Sequence, residues 1–172
     1  DKGLVIRELA RPGLEPVSLT AAPGDCIALR GPSGSGKSSF LRAVADLDPN
    51  DGEVRFDGEN RAELPAPDWR KKAAYLHPDA GWWADRVGPN FADWDAALPL
   101  VEAFGLVAET ADWQITRLST GEKQRLALAR LLASGARLLL LDEPTSAFDA
   151  AAAEAAETVL RARLAAGAVV LM

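Results

Sequence analysis

The segment Gly31-Pro32-Ser33-Gly34-Ser35-Gly36-Lys37-Ser38 fits the pattern G-x-x-x-x-G-K-[ST], which works only where it joins the end of a buried strand to the start of a helix. Its flanks meet that demand. Cys26-Ile27-Ala28-Leu29 is apolar throughout, as expected of a buried parallel strand, and Ser38 to Leu47 carries Phe40, Leu41, Val44 and Ala45 at helical spacing. Pro49 and Asp51-Gly52 then stop the helix and open a turn. In such a loop Gly34 and Gly36 let backbone amides curl around a phosphate, and the helix start adds its positive dipole end. Lys37 reaches the β and γ phosphates, and Ser38 can ligate Mg²⁺. Gly31, Pro32, Ser33, Ser35 and the adjoining Ser39 complete the expected nucleotide-binding stretch. The bland alternative is a Gly/Ser turn that caps a helix and leaves Lys37 solvated; the strand and helix on either side favour the phosphate loop.

A second acidic marker lies about a hundred residues on. Leu138 to Leu141 reads as a buried strand that ends in Asp142-Glu143. In phosphate-loop enzymes an acid at such a strand end helps to hold Mg²⁺, which assigns Asp142 to the metal. Glu143 is then the general base that polarises an attacking water. Taken alone, Asp142 could equally cap the turn before Pro144.

The remaining texture alternates. Leu4 to Ala10 and Pro16 to Ala22 read as short strands, Glu53 to Phe56 as part of a small antiparallel layer, and Ala73 to Leu76 as the next core strand. A helix from Thr120 to Leu132, a strand from Arg137 to Leu141, an Ala-rich helix from about Ala150 to Ala166 and a closing strand follow. Alternating strands and helices imply an α/β fold on a mainly parallel sheet. Between these, residues 78–117 hold four of the five Trp residues and several helix-compatible runs, and read as an inserted helical lobe.

At 172 residues the chain is the size of one domain. A net charge of −6 and a pI near 4.9 argue against nucleic acid, whose phosphates are bound by clustered Lys and Arg. The one basic run, Trp69-Arg70-Lys71-Lys72, is read as a solvated turn. Cys26, the single cysteine, has no internal disulfide partner and is expected to pack as a small hydrophobe, which fits a reducing cytoplasm. No window approaches the ~18 consecutive apolar residues that cross a bilayer. The opening Asp1-Lys2-Gly3 leads into no signal-peptide core, and the ending Ala168 to Met172 suggests a missing C-terminal part.

Leu118-Ser119-Thr120-Gly121-Glu122-Lys123-Gln124-Arg125 has a plain reading as a helix start, with Ser119 and Glu122 forming a capping box. Yet Gly121 costs about 1 kcal/mol relative to Ala inside a helix, so it asks for a close approach of something to the backbone. The segment resembles the signature of the ATP-binding cassette (ABC) family, usually Leu-Ser-Gly-Gly-Gln, with Thr120 for the first Gly and Glu122 for the Gln. Asp142 to Asp149 is similar to that family's acidic strand end and dimer-contact loop.

The resemblance implies a phosphate-loop ABC ATPase domain over 1–172, with a core of 1–77 and 118–172 and the lobe at 78–117. It implies a head-to-tail dimer, with itself or a paired ABC subunit, enclosing two ATP molecules with Mg²⁺. Ser119, Gly121, Glu122 and Asp149 would act across that dimer on the partner's nucleotide. It implies a transport ATPase on the cytoplasmic face of the membrane, bound to permease subunits, with a soluble ABC ATPase acting on nucleic acid or ribosomes as the alternative.

The chain departs from the family in three places. Where the family has a Gln, the chain reads His77-Pro78-Asp79, an ordinary turn that leaves Asp79 as an alternative metal neighbour. No aromatic precedes Phe40 to stack on adenine, and Arg11 offers only its guanidinium plane. The family's switch histidine would follow Met172, so this stretch is expected to bind nucleotide better than it turns it over. Trp82-Trp83 reads with equal force as a partner surface or as a pin holding the lobe.

Overall fold

The computed structural model describes residues 2–172. In chain order the strands are β1 (Leu4–Arg11), β2 (Leu14–Ala21), β3 (Cys26–Ile27), β4 (Asp51–Phe56), β5 (Glu59–Asn60), β6 (Ala73–Leu76), β7 (Leu138–Leu141) and β8 (Val169–Leu171). The α-helices are α1 (Lys37–Val44), α2 (Ala66–Lys72), α3 (Trp94–Ala103), α4 (Thr120–Ala133) and α5 (Ala150–Ala165). Two compact units emerge: residues up to Tyr75 with Ala136–Asp142 and Ala162–Met172, and Leu76–Gly135 with Glu143–Arg161. The lobe expected at 78–117 falls inside the second. Among the described residues no helix is long and apolar enough to cross a membrane.

The first unit holds two four-stranded sheets, ordered β2-β1-β4-β5 and β3-β8-β7-β6. The first sheet is antiparallel, with Ile6 opposite Leu19 on one side and Val54 on the other. Strict alternation would follow buried Leu4 and Ile6 with an inward Glu8. A register shift there, with Glu8 at φ 48°, makes a bulge that turns Leu9 inward instead. In the second sheet β8 pairs in parallel with both β3 and β7. All four leucines of β7 are buried, as a strand covered on both faces requires. The strand before the phosphate loop differs from expectation: it is two residues long and lies at the sheet's edge. Cys26 is therefore exposed instead of packed in the core.

The apolar stripe of α1, Phe40, Leu41 and Val44, joins Ile6, Leu9, Val54, Phe56, Leu138 and Val169 in one core. Trp69 is fully buried in that core, and its indole N–H donates to the Val44 carbonyl at 2.9 Å. The basic run is thus no solvated turn: it belongs to α2, with Trp69 inward and Lys71 and Lys72 paired to Asp68 and Glu59. Arg61, also buried, donates to the carbonyl of Ala43, and Arg70 to that of Asp46. The carbonyls at and just beyond the end of α1, where the helix dipole is negative, are therefore held by cations and an indole.

Asp48 ties β1 to α1. Arg42 donates to both of its carboxylate oxygens, at 2.7 and 2.8 Å, and Arg11 pairs with one of them. Hydrogen bonding from Arg42, with help from Arg11, lowers its pKa from an ordinary 3.8 to about 2. A depressed carboxylate stabilises the fold above its unfolded pKa and loses that contribution as pH falls through the folded value. The melting temperature of the parent should therefore drop toward that of Asp48→Asn between pH 4 and 2, and exceed it at pH 6. Equal melting at pH 6 would remove the carboxylate from this role.

In the second unit α3 is N-capped by Asp93, which accepts from the Ala96 N–H at 3.0 Å, and α3 packs on α4. Arg130 of α4 lies 4.6 and 4.9 Å from the Trp82 and Trp83 rings and donates to the Gly81 carbonyl. The rings clasp Arg130 within the unit, and Trp83 remains 70% exposed.

Candidate functional site

The phosphate loop runs from the end of β3 into α1. Gly36 is the N-cap at φ 92°, a left-handed conformation that glycine adopts without strain, and no side chain caps the helix. No acidic residue lies in its first turn. The open amides and dipole end therefore suit an anion, and the loop fits a phosphate. Lys37 Nζ donates to the carbonyls of Gly31 at 2.7 Å and Pro32 at 3.0 Å, with Ser35 Oγ at 3.5 Å. Its ammonium is thus held over its own loop. Gly31, Pro32, Ser33, Gly34, Ser35 and Ser38 are exposed, and Ser39 is half-buried.

Asp142 follows β7. Because β3, β8 and β7 are mutually parallel, the phosphate loop and Asp142 both leave carboxyl ends of strands on one side of the sheet. Open parallel sheets bind their ligands there. Asp142 is buried, and Tyr75 Oη of β6 donates to its Oδ2 at 3.0 Å. Burial first, and then the Asp142 carboxylate, push the Tyr75 phenol well above its usual range, so it stays a protonated donor. That bond aims the carboxylate through Oδ2. Ser38 offers a hydroxyl and Asp142 a carboxylate oxygen, hard-oxygen donor types of the kind that suit Mg²⁺ with phosphates and water.

In the second unit Glu143 opens a loop to α5. Its φ of 48° is left-handed, a conformation that costs a non-glycine residue roughly 1–2 kcal/mol. The loop compensates through Gln124 of α4, which is buried. Gln124 Nε2 donates to the Glu143 carbonyl and to Ser146 Oγ, each at 3.0 Å, and Gln124 Oε1 accepts from the Ala147 N–H at 2.9 Å. The Ala147 carbonyl lies 2.8 Å from where a Cβ on Gly121 would be. The close approach that Gly121 permits in this chain is thus its own loop. The capping box forms: the Glu122 N–H donates to Ser119 Oγ at 3.2 Å, and the Ser119 N–H to Glu122 Oε2 at 2.8 Å. Asp149 caps α5 by accepting from the Ala152 N–H at 2.8 Å.

His77 and Asp79 form the ordinary turn, with the Asp79 N–H 2.9 Å from His77 Nδ1, and both are exposed. Arg11 is held by Asp48.

Sequence reasoning missed Tyr75, Gln124 and Asp48. Gln124 left a signal: four residues before Leu128 and seven before Leu131, it shares their buried helical face, where a polar side chain must find partners. Tyr75 left none, because Asp142 lies 67 residues away in the chain; Asp48 left none, because its two partners, Arg42 six residues before it and Arg11 in β1, meet it only once β1 and α1 are packed.

A family model described as ABC transporter matches residues 14–146. A cytochrome c biogenesis ATP-binding export protein CcmA from Cereibacter sphaeroides is 39% identical over 160 residues, covering 92% of this chain and 73% of that protein. Its counterpart from Bordetella bronchiseptica is 40% identical over 178 residues, covering 96% and 77%. An ATP-dependent lipid A-core flippase from Burkholderia thailandensis is 35% identical, covering 89% of this chain and 29% of its own length. Among solved structures, a bacterial Atm1-family ABC exporter with ATP bound superposes with a TM-score of 0.84 at 26% identity, covering 99% of this chain and 34% of that one. The chain thus spans about three quarters of the CcmA proteins and about a third of the flippase and the exporter.

Proposed function

The chain belongs to the ABC transporter family as an ABC-type ATPase domain, and on that premise we propose that it burns ATP in a head-to-tail dimer to drive separate membrane permease subunits from their cytoplasmic side. The observation that carries this reading is the uncapped, glycine-started helix α1 on the same side of one parallel sheet as the buried Asp142 carboxylate. The relatives named as ATP-binding export proteins favour export as the direction.

In this reading the amides of Gly34 and of Gly36 to Ser38 and the Lys37 ammonium bind the β and γ phosphates, with Ser33, Ser35 and Ser39 alongside; the Ser35 N–H stays on the Pro32 carbonyl. Lys37 must leave the Gly31 and Pro32 carbonyls to do so. Ser38 and Asp142 would hold Mg²⁺, which would neutralise charge developing on the phosphate oxygens. Tyr75 keeps Asp142 aimed. Glu143, next in the chain, accepts a proton from the attacking water as the water oxygen bonds to the γ-phosphorus and the bridging bond to the β-phosphate breaks, releasing ADP and phosphate. Ser119, Gly121, Glu122 and Asp149 serve the nucleotide held by the other subunit.

The test is ATPase activity measured with Mg²⁺ and with EDTA, alone and in vesicles holding the cognate permease. Hydrolysis should require Mg²⁺ and rise with the permease. Stimulation by DNA or ribosomes in place of the permease would move the protein to the soluble branch of the family.

A further inference from the structure

We propose that Gln124 is a positioning residue for hydrolysis, acting through the backbone of Glu143. The inference rests on the reading of Glu143 as general base and goes beyond it.

Three observations converge. Glu143 sits in a left-handed conformation that it would leave if unrestrained, and Pro144 narrows its choices further. Its carbonyl accepts two hydrogen bonds, one from the Ser146 N–H at 3.3 Å inside the loop and one from Gln124 Nε2 at 3.0 Å outside it. The same amide then accepts from the Ala147 N–H, so one buried side chain on a rigid helix grips the loop at both ends. Among the described residues this is the side-chain bond that reaches the Glu143 backbone. A carboxylate on an exposed loop residue can point in many directions. Fixing its peptide plane fixes where its Cα–Cβ bond begins, and a displacement of ~1 Å at such a group can cost about 10²-fold in rate.

Gln124 touches neither water nor phosphate in this scheme. Its loss should lower the rate and leave ATP affinity alone. Gln124→Leu keeps the volume and removes every hydrogen bond. Gln124→Glu keeps an acceptor for the Ala147 N–H and removes the donor to the Glu143 carbonyl.

The experiment compares Mg²⁺-ATP hydrolysis under single-turnover conditions for the parent, Gln124→Leu, Gln124→Glu, Glu143→Gln and the double variant Gln124→Leu/Glu143→Gln. A fluorescent ATP analogue measures affinity. Both Gln124 variants should be slower by about 10- to 100-fold with affinity within about threefold of the parent. The double variant should be no slower than Glu143→Gln alone, because a residue that acts only through Glu143 has nothing left to position. A merely structural role predicts the opposite: a further loss in the double variant, or an affinity loss matching the rate loss. Either result overturns the proposal. Parent-like rates in both Gln124 variants, with Glu143→Gln inactive, would sink the positioning role and spare the general base. A parent-like rate in Glu143→Gln would sink both. Should Gln124→Leu fail to fold, Gln124→Glu and its double with Glu143→Gln carry the same test.

Discussion

Glu143→Gln is expected to bind ATP with parental affinity and to hydrolyse it at least about 10²-fold more slowly, the usual effect of losing a positioned general base. The substitution is well isolated by the structure. Gln124 grips the Glu143 carbonyl, and nothing in that grip depends on the Glu143 side chain. An isosteric amide therefore leaves the φ of 48°, the Ser146 and Ala147 contacts and the Gly121 approach as they are. What changes is proton affinity at one atom pair: the amide cannot take the water's proton. The phosphate loop is untouched, so fluorescent-nucleotide binding should not move. Head-to-tail dimers should also persist longer, because the step that reopens them is the one removed; light scattering with ATP and Mg²⁺ reads this directly. Parental turnover in the variant would exclude Glu143 as the base.

The loop between β3 and α1 was legible because its parts are local: a glycine-rich run from Gly31 to Ser38 that leads into an uncapped helix. The Asp142-Glu143 pair was legible for the same reason, as a leucine strand ending in two acids. The orientation of those acids was not. Asp142 is aimed by Tyr75, 67 residues away in the chain, and the Glu143 loop is held by Gln124, 19 residues away. A hydrogen bond across such distances leaves no periodic trace; only the polar interruption of a buried stripe on α4 hinted at one of the two. Cys26 was misjudged because an apolar run looks alike in the centre of a sheet and at its edge, and strand order decides which. Trp69 was misjudged because three cations follow it. The run's charge dominated its reading, while α2 buries the indole and leaves Arg70 and Lys71 exposed.

Trp69 carries the largest expected stability effect. Trp69→Ala should destabilise by about 3–5 kcal/mol, the range for truncating a buried aromatic. It also leaves the Val44 carbonyl without its indole donor, a loss of roughly 1–3 kcal/mol for a buried acceptor. Trp69→Phe retains most of the packed ring and loses only the N–H, so its cost should be near that second figure. Urea unfolding separates the two. The position of the residue makes the result more than a measure of packing, because Val44 ends α1, and α1 begins at the phosphate loop. Arg61 and Arg70 hold the neighbouring carbonyls of Ala43 and Asp46. If these three side chains fix the helix end that Gly36 starts, Trp69→Phe should keep its nucleotide affinity, since two of the three anchors remain and the ring still fills its place. Trp69→Ala should weaken ATP binding in the folded protein as well, because the helix that presents the amides is then free to shift along its axis. Parental affinity in folded Trp69→Ala would show that the phosphate loop keeps its shape through β3 and its own hydrogen bonds, with the far end of α1 serving stability alone.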